Sequence, residues 1–181
     1  MSKPRFAMTV DTRRCVGCNA CVLACKAEND LPEHGFRDWI VTETRGKFPE
    51  LRQEIRSERC NHCSNAPCVA ACPTGASHVS DGGTVLVDPD KCTGCKACIA
   101  ACPYGARYVH PEAGYVDKCT FCLHRVRRGL EPACAAVCPT SALTFGDLEQ
   151  PDSPVVARLR RRGHKTLKPE AGLDPNVYFL L

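Results

Sequence analysis

The third of four cysteine runs in this chain reads Cys92-Thr93-Gly94-Cys95-Lys96-Ala97-Cys98-Ile99-Ala100-Ala101-Cys102-Pro103. Two residues separate the first three cysteines from one another, and the fourth cysteine comes after three more residues, directly before proline. Glycine before the second cysteine permits positive φ, so the loop can curl and turn its backbone N–H groups inward. The alanines before the fourth cysteine favour a short helix, which the proline then ends.

The same pattern occurs, with variations, at three other places. Run 1 spans Cys15–Cys25 with identical spacing, run 2 spans Cys60–Cys72, run 3 is the one quoted, and run 4 spans Cys119–Cys138. Run 2 has four residues between its second and third cysteines, and run 4 has eleven. Proline follows the last cysteine of every run except run 1, where Lys26 stands. Together the runs use all 16 cysteines of the 181-residue chain.

Three kinds of cysteine site could explain this pattern. A disulfide framework suits a secreted chain with a signal peptide, but Met1 to Val10 contains no apolar segment of that kind. Structural zinc is bound by two short knuckles across a longer spacer. Three closely spaced cysteines and a fourth before proline are instead typical of loops that hold a [4Fe–4S] cubane. We therefore predict four [4Fe–4S] clusters, an electron-carrying role, and no catalytic residue.

Composition and net charge limit the kinds of partner that the protein is expected to have. Aromatic residues make up 6% of the chain, so the core is thin and the clusters would contribute folding free energy. The formal net charge is +4, but it falls to about −4 once sixteen thiolates and four oxidised cubane cores are counted. The basic balance therefore does not indicate a nucleic-acid partner. No apolar run approaches the ~20 residues that cross a bilayer, so we expect no direct membrane span.

Short strands are expected beside the runs. Phe6–Asp11, Thr84–Asp88 and Gly114–Asp117 lead into runs 1, 3 and 4. Turn residues before the last two strands predict hairpins behind runs 2 and 3, and residues 39–56 predict a third hairpin between runs 1 and 2. The expected fold class is α+β: two bacterial-ferredoxin-like units in a pseudo-twofold arrangement, with short strands, short helices and long loops.

The pairing of the runs decides the domain organisation. In two-cluster ferredoxins the fourth cysteine of one run ligates the cluster of the other run. Runs 2 and 3 are close in sequence and joined by a hairpin, so we expect an inner unit of residues 58–110. Runs 1 and 4 would then form a discontinuous outer unit of residues 1–57 and 111–150, followed by a basic C-terminal tail of residues 151–181. Pairing in simple order, run 1 with run 2 and run 3 with run 4, is the alternative.

The interleaved pairing predicts four ligand sets, which we name A to D. Every one of the sixteen cysteines belongs to one set, and each set takes three cysteines from one run and the fourth from its partner run. Set A is Cys15, Cys18, Cys21 and Cys138; set B is Cys25, Cys119, Cys122 and Cys134; set C is Cys60, Cys63, Cys68 and Cys102; set D is Cys72, Cys92, Cys95 and Cys98.

Basic residues allow two interpretations. Those beside cysteines either raise reduction potentials or act as plain counterions of an anionic cluster. Those of the tail, from Arg158 to Lys168, form either a solvated face or a docking strip for a partner subunit. The basic residues beside cysteines are Lys26, Lys91, Lys96, Lys118 and Arg125.

Several stretches besides the cysteine spacing point to a known family, and Thr144-Phe145-Gly146-Asp147-Leu148 after run 4 is one of them. Others are Val87-Asp88-Pro89-Asp90-Lys91-Cys92 before run 3, Cys102-Pro103-Tyr104-Gly105-Ala106-Arg107-Tyr108 after it, and Lys118-Cys119-Thr120-Phe121-Cys122-Leu123-His124-Arg125 at the start of run 4. With them the chain resembles, over about residues 5–150, the four-cluster electron-transfer subunits of the membrane-linked molybdopterin oxidoreductases. That family includes the polysulfide, thiosulfate, dimethyl sulfoxide and tetrathionate reductases, and the compact length looks most like the polysulfide reductase subunit.

The resemblance implies cofactors and partners. It implies four [4Fe–4S] clusters and the interleaved ligand sets, because cysteine stands at every ligand position. It also implies a molybdopterin-containing catalytic subunit and a multi-helix, quinone-reactive membrane subunit as partners in anaerobic respiration. The chain would be peripheral, attached to the membrane through a partner, with the periplasmic face by co-export favoured over the cytoplasmic face. A free soluble polyferredoxin-type carrier is the alternative function.

Overall fold

The computed structural model describes residues 3–181. Met1 and Ser2, which begin the expected outer unit and the segment searched for a signal peptide, lie outside the described residues. Short helices and short strands alternate, which confirms the α+β fold class. The strands are β1 (Phe6–Asp11), β2 (Asp38–Arg45), β3 (Arg52–Arg59), β4 (Ser77–Val79), β5 (Val85–Val87), β6 (Tyr108–Val109), β7 (Val116–Asp117), β8 (Leu143–Asp147), β9 (His164–Lys165) and β10 (Val177–Leu180), and the helices are α1 (Ala20–Glu28), α2 (Pro67–Ala70), α3 (Ala97–Ala100), α4 (Leu123–Val126), α5 (Ala133–Ala136) and α6 (Pro154–Arg161).

A four-stranded sheet anchors the segment that enters run 1. Its strand order is β8-β1-β10-β9, with β1 antiparallel to β8 and parallel to β10. Ala7, Met8 and Val10 on β1 are fully buried. The strand before run 1 is therefore fixed on one side by the segment after run 4 and on the other by the C-terminal strand.

The C-terminal segment contributes more to the fold than the sequence indicated. β10 lies between β1 and β9, and its Val177, Phe179 and Leu180 are buried. This strand is only four residues long and pairs with the opposite end of the chain, so no local pattern announces it. Residues 151–181 are thus folded onto the body and are not an appended tail.

Most basic residues of this segment bind within the molecule. Arg162 Nη1 lies 3.1 Å and Arg158 Nη1 3.6 Å from the buried Asp11 carboxylate. Lys165 Nζ lies 3.0 Å from the Glu54 carboxylate on β3. These ion pairs favour a structural role for the basic segment over a docking strip.

Three hairpins lie beside the runs, as predicted. β4 pairs with β5 behind run 2, and β6 pairs with β7 behind run 3. The β2–β3 hairpin is longer than expected, with eight residues in each strand. The sequence underestimated it because its first pair is polar: Asp38 opposite Arg59. Their side chains form a buried salt bridge of 3.2 Å, which keeps both strands in register at the base of the hairpin.

The short helices end at the fourth cysteines. α2, α3 and α5 have four residues each and stop just before Cys72, Cys102 and Cys138. α1 continues through Glu28, as expected, because Lys26 and not proline follows the last cysteine of run 1. No helix within residues 3–181 is long and apolar enough to cross a membrane.

Cysteine thiols form part of the core. The larger core cluster combines Met8, Val10, Phe145 and Phe179 with cysteines of runs 1, 2 and 4. A smaller cluster combines cysteines of runs 2 and 3 with apolar residues of the hairpins behind them. The apolar side chains therefore pack around the cysteine loops, so that the integrity of the sites and of the core depend on each other.

Candidate metal centres

The cysteines of set A line one cavity near the surface, with an empty volume of about 330 Å³. Run 1 supplies three of them from the loop before α1, and run 4 supplies Cys138 from beyond α5. Gly17 in this loop has φ +68°, and a side chain there would meet Ile55 at 3.2 Å. Glycine therefore serves both the curl of the loop and its close approach to the β2–β3 hairpin. Cys72, the partner expected from simple-order pairing, does not line this cavity.

The cysteines of set D line a second cavity, with a similar empty volume of about 290 Å³. Run 3 supplies three of them and run 2 supplies Cys72. Gly94 has φ +67°, and a Cβ there would lie 2.7 Å from the carbonyl oxygen of Gly114. Gly94 in run 3 thus resembles Gly17 in run 1, because each has a positive φ and each lies close to a neighbouring segment. The cavities of sets A and D are therefore built in a similar way.

Sets B and C lie deeper. Burial raises the pKa of Cys25, and the other three cysteines of set B raise it further. Burial likewise raises the pKa of Cys63 to about 12, and the other three cysteines of set C act in the same direction. Mutual effects of this kind fall off with distance. The cavities thus group the cysteines of sets A and D, and the four ligand sets stay a prediction.

The fourth cysteines of runs 2 and 4 receive backbone hydrogen bonds. Ser77 N–H donates to Cys72 Sγ at 3.3 Å, and Ala142 N–H donates to Cys138 Sγ at 3.2 Å. Burial acts to raise the pKa of both thiols, but these hydrogen bonds and those around the following threonine lower it below its ordinary value. Both loops therefore stabilise a thiolate, which is the form that binds metal.

Runs 2 and 4 meet at the positions where runs 1 and 3 have glycine. The residues there are His62 and Phe121, with φ of 43° and 51°, and their rings stack with centroids 3.8 Å apart. His62 Nδ1 accepts a hydrogen bond from Val85 N–H at 3.1 Å. The two rings fill the space between the loops of sets B and C, which explains why glycine is absent from both.

Comparison with known proteins identifies the family. Two family models, both described as a 4Fe–4S dicluster domain, match residues 14–76 and 51–148. The chain is 42% identical over 179 residues to a polysulfide reductase chain of Wolinella succinogenes, covering 97% of this sequence and 94% of that protein. It is 41% identical to a tetrathionate reductase subunit of Salmonella typhimurium (97% and 72% covered) and 44% identical to the protein NrfC homolog of Haemophilus influenzae (97% and 80% covered).

This protein belongs to the 4Fe–4S dicluster family. That membership confirms the resemblance that the cysteine runs and their flanks predicted. The dicluster chain is an iron–sulfur electron-transfer subunit of a reductase complex, and its 16 cysteines provide for four [4Fe–4S] clusters. Relatives are named as iron–sulfur or electron-transfer subunits, so the catalytic chemistry belongs to other chains.

The surroundings of the thiols in the dicluster chain fit an anionic cofactor. Buried N–H groups of Arg59, His62 and Arg107 have no acceptor among residues 3–181. His62 Nδ1 accepts a hydrogen bond, so the neutral ring carries its proton on Nε2. Unpaired buried donors are costly in a protein interior. Cluster sulfur atoms accept hydrogen bonds from their surroundings, so donors of this kind match what four thiolate-ligated clusters require.

The basic residues that the sequence singled out have different environments in the dicluster chain. Lys26 Nζ donates to three loop carbonyls, at 2.8 to 3.0 Å, and Arg125 pairs with Glu28 at 2.7 Å. Lys91 and Lys96 are exposed. Lys118 alone among the five is buried, with 1% of its surface exposed.

Two buried arginines that contact cysteine thiols were not predicted from the sequence. Arg59 and Arg107 are 2% and 5% exposed. The sequence contains a pattern that includes Arg59, since a basic residue precedes the first cysteine of every run. The structure buries this basic residue in runs 2 and 4. Arg107 had no such signal beyond its place in the stretch that follows run 3. The basic residues that precede the runs are Arg14, Arg59, Lys91 and Lys118.

Proposed function

We propose that this subunit relays electrons through four [4Fe–4S] clusters, held by sets A, B, C and D in that order, between a molybdopterin-containing catalytic subunit and a quinone-reactive membrane subunit. The observation that carries this proposal is the exposure of the cysteines. Cys18 of set A and Cys95 of set D are exposed, whereas all thiols of set B and all but Cys102 of set C are buried. A relay needs one accessible centre at each end and shielded centres between them.

The order of the sets is supported by the contact between the middle loops. The His62–Phe121 stack joins the loop of set C to that of set B. Sets A and B draw on runs 1 and 4, which we propose as the outer unit of residues 1–57 and 111–150. Sets C and D draw on runs 2 and 3, the proposed inner unit of residues 58–110. Because every ligand position is cysteine, no iron has an open site, and transfer is outer-sphere.

An apolar surface beside set A favours a dedicated subunit over a free carrier. Val16, which lines the set A cavity, is 60% exposed, and Leu23 on α1 is 65% exposed. Val137, at the end of α5 against which α1 packs, is 45% exposed. Exposed apolar groups that lie together commonly mark protein interfaces. We propose that a partner subunit covers this surface and that the complex is membrane-associated through a partner, on the periplasmic face by co-export.

Isolation of the tagged chain from native membranes tests this function. We expect about 16 iron and 16 sulfide per chain, together with a molybdenum protein and a multi-helix membrane protein. Leu23→Asp should release a partner, whereas Val79→Asp, which changes an exposed apolar residue (52%) of the inner unit, should not. Recovery of the wild-type chain alone as a soluble monomer with full iron would contradict the relay subunit and favour the polyferredoxin-type carrier.

A further inference from the structure

Three basic side chains lie in the interior beside the cysteines. Arg59, Lys118 and Arg107 are 2%, 1% and 5% exposed. A buried charge is costly unless an opposite charge or several hydrogen bonds compensate it. Arg59 has such a partner in Asp38, at 3.2 Å. Neither Lys118 nor Arg107 pairs with a carboxylate among residues 3–181, so the compensating negative charge must come from elsewhere.

Arg59 lies at the outer junction, the contact between sets A and B. Its Nη1 donates to Cys134 Sγ of set B at 3.0 Å. Its Nη2 donates to Ser57 Oγ, which lies 3.6 Å from Cys21 Sγ of set A. One guanidinium group therefore reaches thiols of two different sets, directly in one case and through a serine in the other.

Arg107 lies at the inner junction, the contact between sets C and D, and also bonds to a thiol and to a serine. Its Nη2 donates to Cys68 Sγ of set C at 2.8 Å and to Ser77 Oγ at 2.9 Å. The Ser77 N–H in turn donates to Cys72 Sγ of set D at 3.3 Å. Arg107 with Ser77 thus corresponds to Arg59 with Ser57, one pair in each half of the molecule.

Lys118 lies at the middle junction, the contact between sets B and C. Its Nζ donates to the carbonyl oxygen of Cys119 in set B at 2.6 Å and to the carbonyl oxygen of Val85. The Val85 N–H donates to His62, which stands between the first two cysteines of set C. Val85 is therefore hydrogen-bonded on both sides: its carbonyl oxygen accepts from Lys118, and its N–H donates to the loop of set C.

The charge of the thiols acts on each cation from both sides. Burial acts to lower the pKa of Arg107, but Cys68 and Cys60 of set C and Cys98 of set D raise it above its ordinary value. Burial lowers the pKa of Lys118, and Cys60 of set C and Cys119 of set B oppose this change. Each cation thus lies within the electrostatic influence of two consecutive sets.

We propose that Lys118 and Arg107 are positioning residues at the middle and inner junctions, and that each raises the reduction potentials of the two clusters beside it. The inference rests on the proposed relay through sets A to D. Adding an electron makes a cluster more negative, and an unpaired cation in a low-dielectric interior favours that change. Arg59 occupies the equivalent place at the outer junction, but Asp38 offsets its charge, so it orders the thiols without the same effect on potential.

Redox titration followed by electron paramagnetic resonance tests this proposal on the complete complex. Signals of the end clusters are identified by their loss in Cys18→Ala and Cys95→Ala. In Lys118→Met, the clusters of sets B and C should shift to more negative potentials. In Arg107→Met, the clusters of sets C and D should shift. The cluster of set C therefore moves in both variants, and that of set A in neither.

Charge-preserving variants and a surface variant serve as controls. Lys118→Arg and Arg107→Lys should keep the potentials near those of the wild type, and Arg161→Met, which removes an exposed cation on α6 outside the runs, should leave all four unchanged. If Lys118→Met fails to assemble clusters, Arg107→Met still tests the proposal, because the clusters of sets C and D alone should shift to more negative potentials. The proposal would be overturned if the methionine variants kept full iron content and unshifted potentials. It would also be overturned if the charge-preserving variants shifted as much as the methionine variants. Neither result would contradict the proposed relay. A wild-type chain without four clusters would instead overturn the proposed function.

Discussion

The outer and inner junctions have similar arginine–serine pairs, but only the outer junction contains a carboxylate. At each, an arginine binds the third cysteine of a run and a serine that leads to an end set. Asp38 pairs with Arg59 at the outer junction, whereas Arg107 has no carboxylate partner among the described residues. The two halves therefore share the way in which the thiols are positioned and differ in the charge around them. On the proposal above, this difference in charge gives the clusters of the two halves different reduction potentials.

Removing Arg59 should have the largest effect, because it leaves Asp38 buried and unpaired beside thiolates. Loss of one partner of a buried ion pair typically costs about 3–5 kcal/mol. Arg59→Met should therefore release iron at a much lower denaturant concentration than the wild type. Asp38→Asn combined with Arg59→Met should recover much of this loss. Equal sensitivity of the single and double variants would show that the ion pair is not the cause.

Asp38→Asn alone should make the outer junction resemble the inner one. Arg59 then keeps its charge without a carboxylate partner, so the clusters of sets A and B should become easier to reduce. We expect an upward shift of about 60 mV, equivalent to a tenfold change in a one-electron equilibrium. Redox titration measures it, with Glu50→Gln in the exposed turn between β2 and β3 as the control. Unchanged or lower potentials in Asp38→Asn would remove Asp38 as the source of the asymmetry.

His62 and Phe121 allow a similar comparison at the middle junction. His62→Phe should preserve the stacked pair, yet it removes the acceptor for the buried Val85 N–H. An unsatisfied buried donor costs about 1–3 kcal/mol. The variant should therefore lose iron at a lower denaturant concentration than the wild type. Wild-type resistance in His62→Phe would mean that the hydrogen bond contributes nothing measurable.

The smallest expected effect is that of Glu28, which links α1 to α4 at the surface through ion pairs with His124 and Arg125. The hydrogen bond from His124 lowers the pKa of Glu28, as does Arg125, while burial opposes them. A carboxylate with a lowered pKa stabilises the fold above its ordinary pKa, and this contribution disappears as the pH falls through the lowered value. Glu28→Gln should thus be slightly less stable than the wild type at neutral pH, and the difference should disappear at a pH below the lowered pKa of Glu28. A difference that persists below that pH would contradict this assignment.

The cysteine spacing was the feature from which the cluster loops and their ligand sets were predicted. Spacing alone indicated the loops, and the exchange of fourth cysteines placed Cys138 near run 1 and Cys72 near run 3, where the two cavities also have them. The hairpins behind runs 2 and 3 followed from turn residues between short apolar segments. These features depend on residues close together in sequence, and a single chain displays them directly.

Long-range pairings were not predictable. β10 joins β1 across nearly the whole chain, and a four-residue apolar segment carries no mark of such a partner. The buried cations were also hidden, because Arg59 and Lys118 stand before cysteines just as the exposed Arg14 and Lys91 do. Which basic residue enters the interior depends on how the cysteine loops pack together, and spacing does not encode that.

Iron counting in paired cysteine variants tests the interleaved ligand sets most directly. Cys18→Ala with Cys138→Ala changes set A twice, so the double variant should lose only about four iron atoms per chain. Cys18→Ala with Cys72→Ala changes sets A and D, so it should lose about eight. The reverse result, with the smaller loss in the Cys18 and Cys72 pair, would contradict the pairing of outer run with outer run and inner run with inner run.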